Sequence, residues 1–408
     1  MKYIPIERVD TGRTGYQQQV KETNIKHIFD LVRFGRCKSR AEIVRCMNLS
    51  ATSVSVLVEE LMSRGLIEEV GPTQTAMPGR RPISLRLNSE ARQMATFALS
   101  RDGVRFCLLN LDCQVIESRT YPLSIEGLTD AEAGEAYVRL FEQVLERRSQ
   151  RFDRARALMI GICFPGVFLE ARKTYSSGTE LNVNIPEGIF EDFGRRMDLP
   201  LCVFNSTRCM AYAEKRLLDA RNPDAPETEY MLYADIHKGI NCAIVAKGSI
   251  YNGPYNISGL LGHFTIDYQG RPCPCGNRGC LERYVNRDTL LEDAQKACAE
   301  AGTPPPADLK EVAKRCASEP ALMAAMQNSA RLLAFGLYNL MCSSGMNHIV
   351  LSGIEALGDA FLSEVRKALM ERTMLVCTLN LAWAQAGRDS RNVGISQFFL
   401  DKVFTITG

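Results

Sequence analysis

Three stretches near the N-terminus repeat their apolar residues every three or four positions, the next two alternate every second position, and from about residue 94 the two periods take turns. Each change of period predicts a change of element. In residues 24–34, Ile25, Ile28, Phe29 and Val32 form a helical stripe that breaks at Gly35. Ser39 and Glu42 have the spacing of a capping box ahead of Ile43, Val44 and Met47. A second short helix is therefore expected, with the Ser39 hydroxyl accepting from the first turn and Glu42 reaching back. Asn48 and Leu49 make a turn, Ser50 stands at an N-cap, and Val54, Leu57, Val58 and Leu61 continue a third helix until Gly65. Residues 66–70 and 83–87 alternate as paired strands around a Gly/Pro-rich tip.

Helix, tight turn, helix and hairpin form the pattern of a winged helix-turn-helix, which places the third helix in the major groove of double-stranded DNA. The alternative is a small helical bundle used for protein contacts. The hairpin tip favours DNA, because Arg80 and Arg81 sit between Pro78-Gly79 and Pro82 on a segment slim enough for a narrow minor groove. On the third helix Ser50, Ala51, Thr52, Ser53 and Ser55 are the candidates for base edges or phosphates. Its start has no Arg or Lys for bidentate contacts to guanine, so direct readout is expected to be modest. Arg36, Lys38, Arg40 and Arg45 are candidate phosphate contacts, with a solvated surface charge as the alternative for each.

Beyond residue 94 the expected elements are strands at 94–99, 105–110, 115–118 and 157–163 and a helix at 131–148. Strands alternating with helices define an α/β architecture. The chain has 408 residues, 46% hydrophobic and 24% charged, enough for two or three domains with real cores. The formal net charge of +2 does not argue for or against nucleic acid, because a large neutral domain masks a small basic one. Fifteen cysteines scattered through apolar runs read as buried reduced thiols, and no signal peptide or membrane span is evident. The expected compartment is the cytoplasm.

Residues 262–282 gather His263, Cys273, Cys275 and Cys280 into one short segment with Gly276 and Gly279. One imidazole and three thiols are the donor set of a closed, tetrahedral structural zinc, with no position left for a catalytic water. A loop cluster of cysteines or a disulfide pair is the alternative.

This segment, Gly-His followed by Cys-Pro-Cys-Gly-Asn-Arg-Gly-Cys-Leu-Glu, resembles the zinc motif of the ROK family (repressors, open reading frames and sugar kinases). The resemblance extends from about residue 20 to the end. It implies an actin-like, two-lobed sugar-kinase fold, of the ribonuclease-H-like kind, behind the winged helix. The implied domains are 1–90 for DNA binding, 91–206 plus 379–408 for the first lobe, and 207–378 for the second lobe, with zinc and dimerisation helices at 322–341 and 359–371.

Where this chain departs from the family, kinase chemistry is lost. The family's first phosphate loop is replaced by Ala98-Leu99-Ser100-Arg101-Asp102, and the second, glycine-rich one by His237-Lys238-Gly239-Ile240-Asn241-Cys242-Ala243. Bare backbone N–H groups no longer line the space that phosphates need. The catalytic Asp of the family's Asn-Asp pair is Ser206 after Asn205, and a serine with no adjacent base does not take a proton from a sugar hydroxyl at neutral pH. Sugar contacts are thinned as well: Leu260 stands where a Glu grips hydroxyls, and Glu180 where an Asn precedes Leu181. Asn205, His263 and Glu282 remain, so the effector residues implied are Asn205, Glu282, His263 and Glu180. For Asn205 a strand-end turn, and for Glu282 a helix-starting carboxylate, are the structural alternatives.

The resemblance thus implies a zinc-stabilised transcription regulator, a repressor of carbohydrate-related genes, without enzymatic activity. Its partners are an operator duplex, a second copy in a homodimer or dimer of dimers, and a small carbohydrate-like effector if one binds; no membrane is among them. A regulator governed by a protein partner, or an active sugar kinase, are the rival readings.

Overall fold

The computed structural model describes residues 2–4, 16–72, 83–178, 180–222, 228–372 and 378–404. Contacts divide the chain into two units: residues 1–163, 186–204 and 395–408 form the first, and residues 164–185 and 205–394 the second.

The first unit opens with the winged module. Helices span Tyr16–Arg33, Arg40–Met47 and Ala51–Ser63, and the strands Ile67–Pro72 and Ile83–Leu87 pair antiparallel with Ile67 opposite Leu87. The expected apolar stripes form its core, with Ile25, Ile28, Phe29, Ile43, Val54, Val58 and Leu61 all fully buried. The first helix begins well before residue 24, because residues 16–23 are helical without carrying an apolar stripe. Asn48 ends the second helix in the left-handed conformation (φ 53°), a role its short polar side chain tolerates. Ser39 accepts the Glu42 N–H at 3.3 Å as a cap should. Glu42, however, accepts from the Lys38 N–H at 2.7 Å, one residue earlier than the capping box requires. The hairpin tip, with Arg80 and Arg81, lies outside the described residues.

The module is tied to the rest of its unit through the chain's C-terminal segment. Arg33 donates to Asp401 at 2.6 Å, and the rings of Phe29 and Phe404 meet at 5.9 Å. The unit's six-stranded sheet has the order Lys2–Ile4, Leu201–Asn205, Ala157–Phe164, Gln93–Ser100, Gly103–Asn110, Val115–Tyr121. Its central strand pair, Gln93–Ser100 with Ala157–Phe164, is parallel, whereas Gln93–Ser100 with Gly103–Asn110 is an antiparallel hairpin. Phe97 stacks on Phe141 of the helix Asp130–Gln143 at 4.3 Å, and that ring packs against Phe193 of Glu187–Met197, so aromatic burial fixes both helices on the sheet.

The second unit carries a five-stranded sheet in the order Ser249–Tyr251, Ile240–Ala246, Met231–Ile236, His348–Ser352, Asn380–Trp383. The first three strands pair antiparallel and the last three parallel. The sequence division placed residues 379–408 with the first lobe; within them, Asn380–Trp383 pairs as an edge strand of this sheet. The helices Arg287–Glu300, Pro320–Ser344 and Gly358–Met370 cover it with a continuous apolar core. Gly336 of the long helix faces Leu261 and Leu281, and a Cβ there would run into the Leu281 side chain; the glycine lets the helix lie against the cysteine-bearing segment. Among the described residues, no helix is long and apolar enough to cross a membrane.

Candidate functional site: recognition helix, metal centre and cavity

The helix Ala51–Ser63 presents its N-terminus outward. Ser50 caps it by accepting the Ser53 N–H at 3.0 Å, and the two hydroxyls bond each other at 2.8 Å. Ser50 and Ser53 are thus engaged with each other, while Ala51 and Thr52 are exposed and Ser55 is half-buried. Arg40, a candidate for phosphate, instead reaches Glu59 on this helix at 2.6 Å and Glu69 on the hairpin. Arg36, Lys38 and Arg45 remain exposed on the same module. Sequence reasoning passed over Val56, which lies off the buried stripe and is 58% exposed.

The four ligand atoms of His263, Cys273, Cys275 and Cys280 all lie within 4.8 Å of one another. Cys275 Sγ and Cys280 Sγ are 3.7 Å apart, and Cys273 Sγ lies 3.8 Å from His263 Nδ1. A tetrahedral zinc with bonds of about 2.3 Å sets its sulfur ligands about 3.8 Å apart, so the cluster has the dimensions of a zinc shell. Local backbone makes this possible: Gly279 (φ 67°) brings its Cα against the Asp267 backbone, where any Cβ would clash. Hydrogen bonds from Cys273 N–H to Asn277 O and from Gly276 N–H to Cys273 O close the turn. Glu282 Oε1 sits 3.3 Å from Cys273 Sγ and 3.5 Å from His263 Nδ1. Because Nδ1 faces the thiols, the imidazole's other nitrogen is left for a cavity that His263 also lines.

That cavity, about 250 Å³, lies within the second unit. Asn205, Glu180, Glu282 and His263 all line it, so the four residues implied as effector contacts converge on one space. Their free valences differ. The Asn205 amide donates to Gly166 O at 2.8 Å and accepts the Arg208 N–H at 3.0 Å, capping the helix Ser206–Arg221 and bracing a turn. Ser177 braces the strand end before Glu180, donating to Pro165 O at 2.6 Å and accepting the Leu181 N–H at 3.2 Å. Arg208, buried, donates to Asn256 O at 2.9 Å, and its burial depresses the guanidinium pKa to about 10.

Two features of the cavity wall were not read from the sequence. Ser206 is only 4% exposed and its hydroxyl has no hydrogen-bond partner among the described residues. Asp235 accepts from Ser352 Oγ at 2.7 Å and lies 3.4 Å from His237 Nε2, so a carboxylate–imidazole pair stands at the turn between the strands Met231–Ile236 and Ile240–Ala246. That turn is closed on itself, with the His237 N–H bonded to Gly239 O and the Arg287 N–H to His237 O.

A model of the ROK family matches residues 99–401. The xylose repressor of Bacillus spizizenii is 25% identical over 395 residues, covering 96% of this chain and 98% of the relative. The DNA-binding transcriptional repressor Mlc of Escherichia coli is 21% identical over 293 residues, 70% of this chain and 68% of the relative. Among solved structures, a ROK family transcriptional regulator described as a homolog of E. coli Mlc superimposes with a TM-score of 0.76 at 22% identity, over 94% of this chain and 97% of that one. A ROK family glucokinase from Streptomyces griseus, in complex with glucose and AMPPNP, gives a TM-score of 0.60 at 16% identity over 75% of this chain and 98% of that one. The regulator shares the fold over nearly the whole chain, the kinase over three quarters of it.

Proposed function

The chain belongs to the ROK family, and from that premise we propose that it is a DNA-binding transcription regulator of carbohydrate-related genes, acting as a repressor. Its winged helix holds the operator, a structural zinc fixes the segment 262–282, and its kinase-like lobes transfer no phosphate. The observation that carries this reading is the winged module: a capped, outward-facing helix after an αL turn, with a paired hairpin behind it, on the N-terminal side of the kinase-like lobes. Relatives that match over nearly the whole chain and are xylose repressors support it.

The cavity supports a polyhydroxylated effector. Glu180, Glu282 and His263 offer it polar groups, and Leu260 limits how many hydroxyls find partners. Arg391 lines the cavity, and further along the same C-terminal segment Asp401 holds Arg33 of the first helix. A ligand-driven change at Arg391 therefore has a covalent route to the DNA-binding module. The chain acts in the cytoplasm as a homodimer or dimer of dimers, which suits an inverted-repeat operator. If zinc is held by His263, Cys273, Cys275 and Cys280, its closed shell supplies folding energy and no reactive water.

A second reading, control by a protein partner, is favoured by Asn205, whose amide spends one N–H and one lone pair within the protein and so has half its capacity left for a sugar. Transcript levels with and without the gene test the main reading: transcripts beside the bound sites rise on deletion, and addition of the inducing sugar to the intact strain has the same effect. A fall on deletion would make the chain an activator, and no change would remove the regulatory role.

A further inference from the structure

We infer that Val56, with Thr52 one turn before it, reads thymine 5-methyl groups in the major groove, so that the operator half-site carries thymine opposite the third helix. The inference rests on the DNA-binding reading above and adds the base chemistry and the residue that sets it.

Residues 52, 56 and 59 recur at helical spacing and form one stripe on the helix Ala51–Ser63. This stripe points away from the buried Val54, Leu57, Val58 and Leu61, and Val56 stands in its centre, 58% exposed. A β-branched side chain in mid-helix lowers helix propensity and, left in water, returns no packing. What the helix offers a base is narrow. It contains no Arg or Lys for guanine and no Asn or Gln for adenine. Glu59, the acceptor that would suit cytosine, is held by Arg40 at 2.6 Å. Ser50 and Ser53 are bonded to each other. The groups remaining on the exposed stripe are the two methyls of Val56 and the methyl and hydroxyl of Thr52, and the apolar feature of a major-groove base edge is the thymine methyl. Exposed Arg36, Lys38 and Arg45 on the same module complement phosphate charge, which favours a nucleic acid over an apolar protein surface as what covers this face.

The test uses the full-length chain and the duplex it selects from a random library. Each thymine of the half-site is replaced in turn by uracil, which lacks only the methyl, and affinity is read by fluorescence anisotropy. The wild-type chain should lose about fourfold in affinity at one or two thymines, the ratio that one buried methyl corresponds to. The Val56→Ala chain should bind thymine and uracil alike at one of those positions, with its melting temperature no lower than that of the wild-type chain, because the residue is exposed and alanine has the higher helix propensity. The Val56→Thr chain, which keeps one methyl, should fall between. A wild-type chain indifferent to uracil everywhere, or a Val56→Ala chain with full sensitivity at every position, would overturn the inference and leave DNA binding intact. Selection of no sequence at all would overturn both.

Discussion

Arg40 holds Glu59 and Glu69 together and thereby ties the second helix of the winged module to the third helix and the hairpin. Its effect on DNA is then indirect, through the stability and angle of the recognition helix. Arg40→Ala should destabilise the module by about 1 kcal/mol, the usual scale for partly exposed ion pairs, and leave the slope of log affinity against log salt unchanged. Arg45→Ala, at an exposed cation beside the same helix, should instead lower that slope by about one phosphate's worth while leaving stability within about 0.5 kcal/mol. Salt titrations of the two variants separate the roles, and a slope that falls for Arg40→Ala would return it to the phosphate contacts. Residue identity alone did not decide between these outcomes, since an arginine in a helix-turn-helix is equally suited to both. His348 carries a different signal. Burial holds its pKa below the ordinary 6.5, so the folded state favours the neutral ring. The unfolded chain binds the proton more readily, and this contribution to stability is present above pH about 6.5 and declines as pH falls through the folded-state pKa. Urea unfolding at pH 7.5 and 5.5 should show His348→Leu losing less stability on acidification than the wild-type chain.

At the scale of elements, the segment 262–282 acts as one unit only if its four ligands share an ion. Purified protein should contain one zinc per chain. Its removal by a chelator, or Cys280→Ala, should lower the melting midpoint by roughly 10 °C, the shift that about 3 kcal/mol produces in a unit of this size. Metal analysis finding none, with an unchanged midpoint in Cys280→Ala, would leave the cluster as ordinary thiols. This element was legible because donor chemistry and spacing are local properties of sequence. Helix three was legible for the same reason: Ser50 and the stripe from Val54 to Leu61 lie within a dozen residues. Elements defined by distant partners were harder to read. Residues 16–23 have no stripe to announce a helix, and Asn380–Trp383 is a strand because His348–Ser352 lies beside it. The cavity illustrates the same limit. Asn205, Glu180, His263 and Glu282 were tied to it by resemblance, but the state of each polar group depends on tertiary neighbours. The Asn205 amide is half engaged by Gly166 and Arg208, whereas the Ser206 hydroxyl has no partner among the described residues.

For the whole molecule, a kinase-like scaffold is joined to a DNA-binding module, and the resemblance implies that both halves of a phosphoryl-transfer site are changed. By the resemblance Ser206 stands where the family has its base, and His237 and Lys238 stand in a turn where bare glycine backbone is expected, with the His237 N–H bonded to Gly239 O. Repairing one half should therefore not restore catalysis: Ser206→Asp should release no more sugar-dependent ADP than the wild-type chain, which itself should release none. Measurable turnover by either protein would show that the scaffold retains its ancestral chemistry. The central claim, sequence-specific DNA binding by this scaffold, is tested most directly by mixing the full-length protein with fragments of the genome that encodes it and sequencing what it retains across a salt series, with Arg80→Ala/Arg81→Ala in parallel. The account predicts an inverted repeat beside carbohydrate-related genes, retained less as salt rises and less by the double variant. Retention of random fragments alone, equal for both proteins, would contradict it.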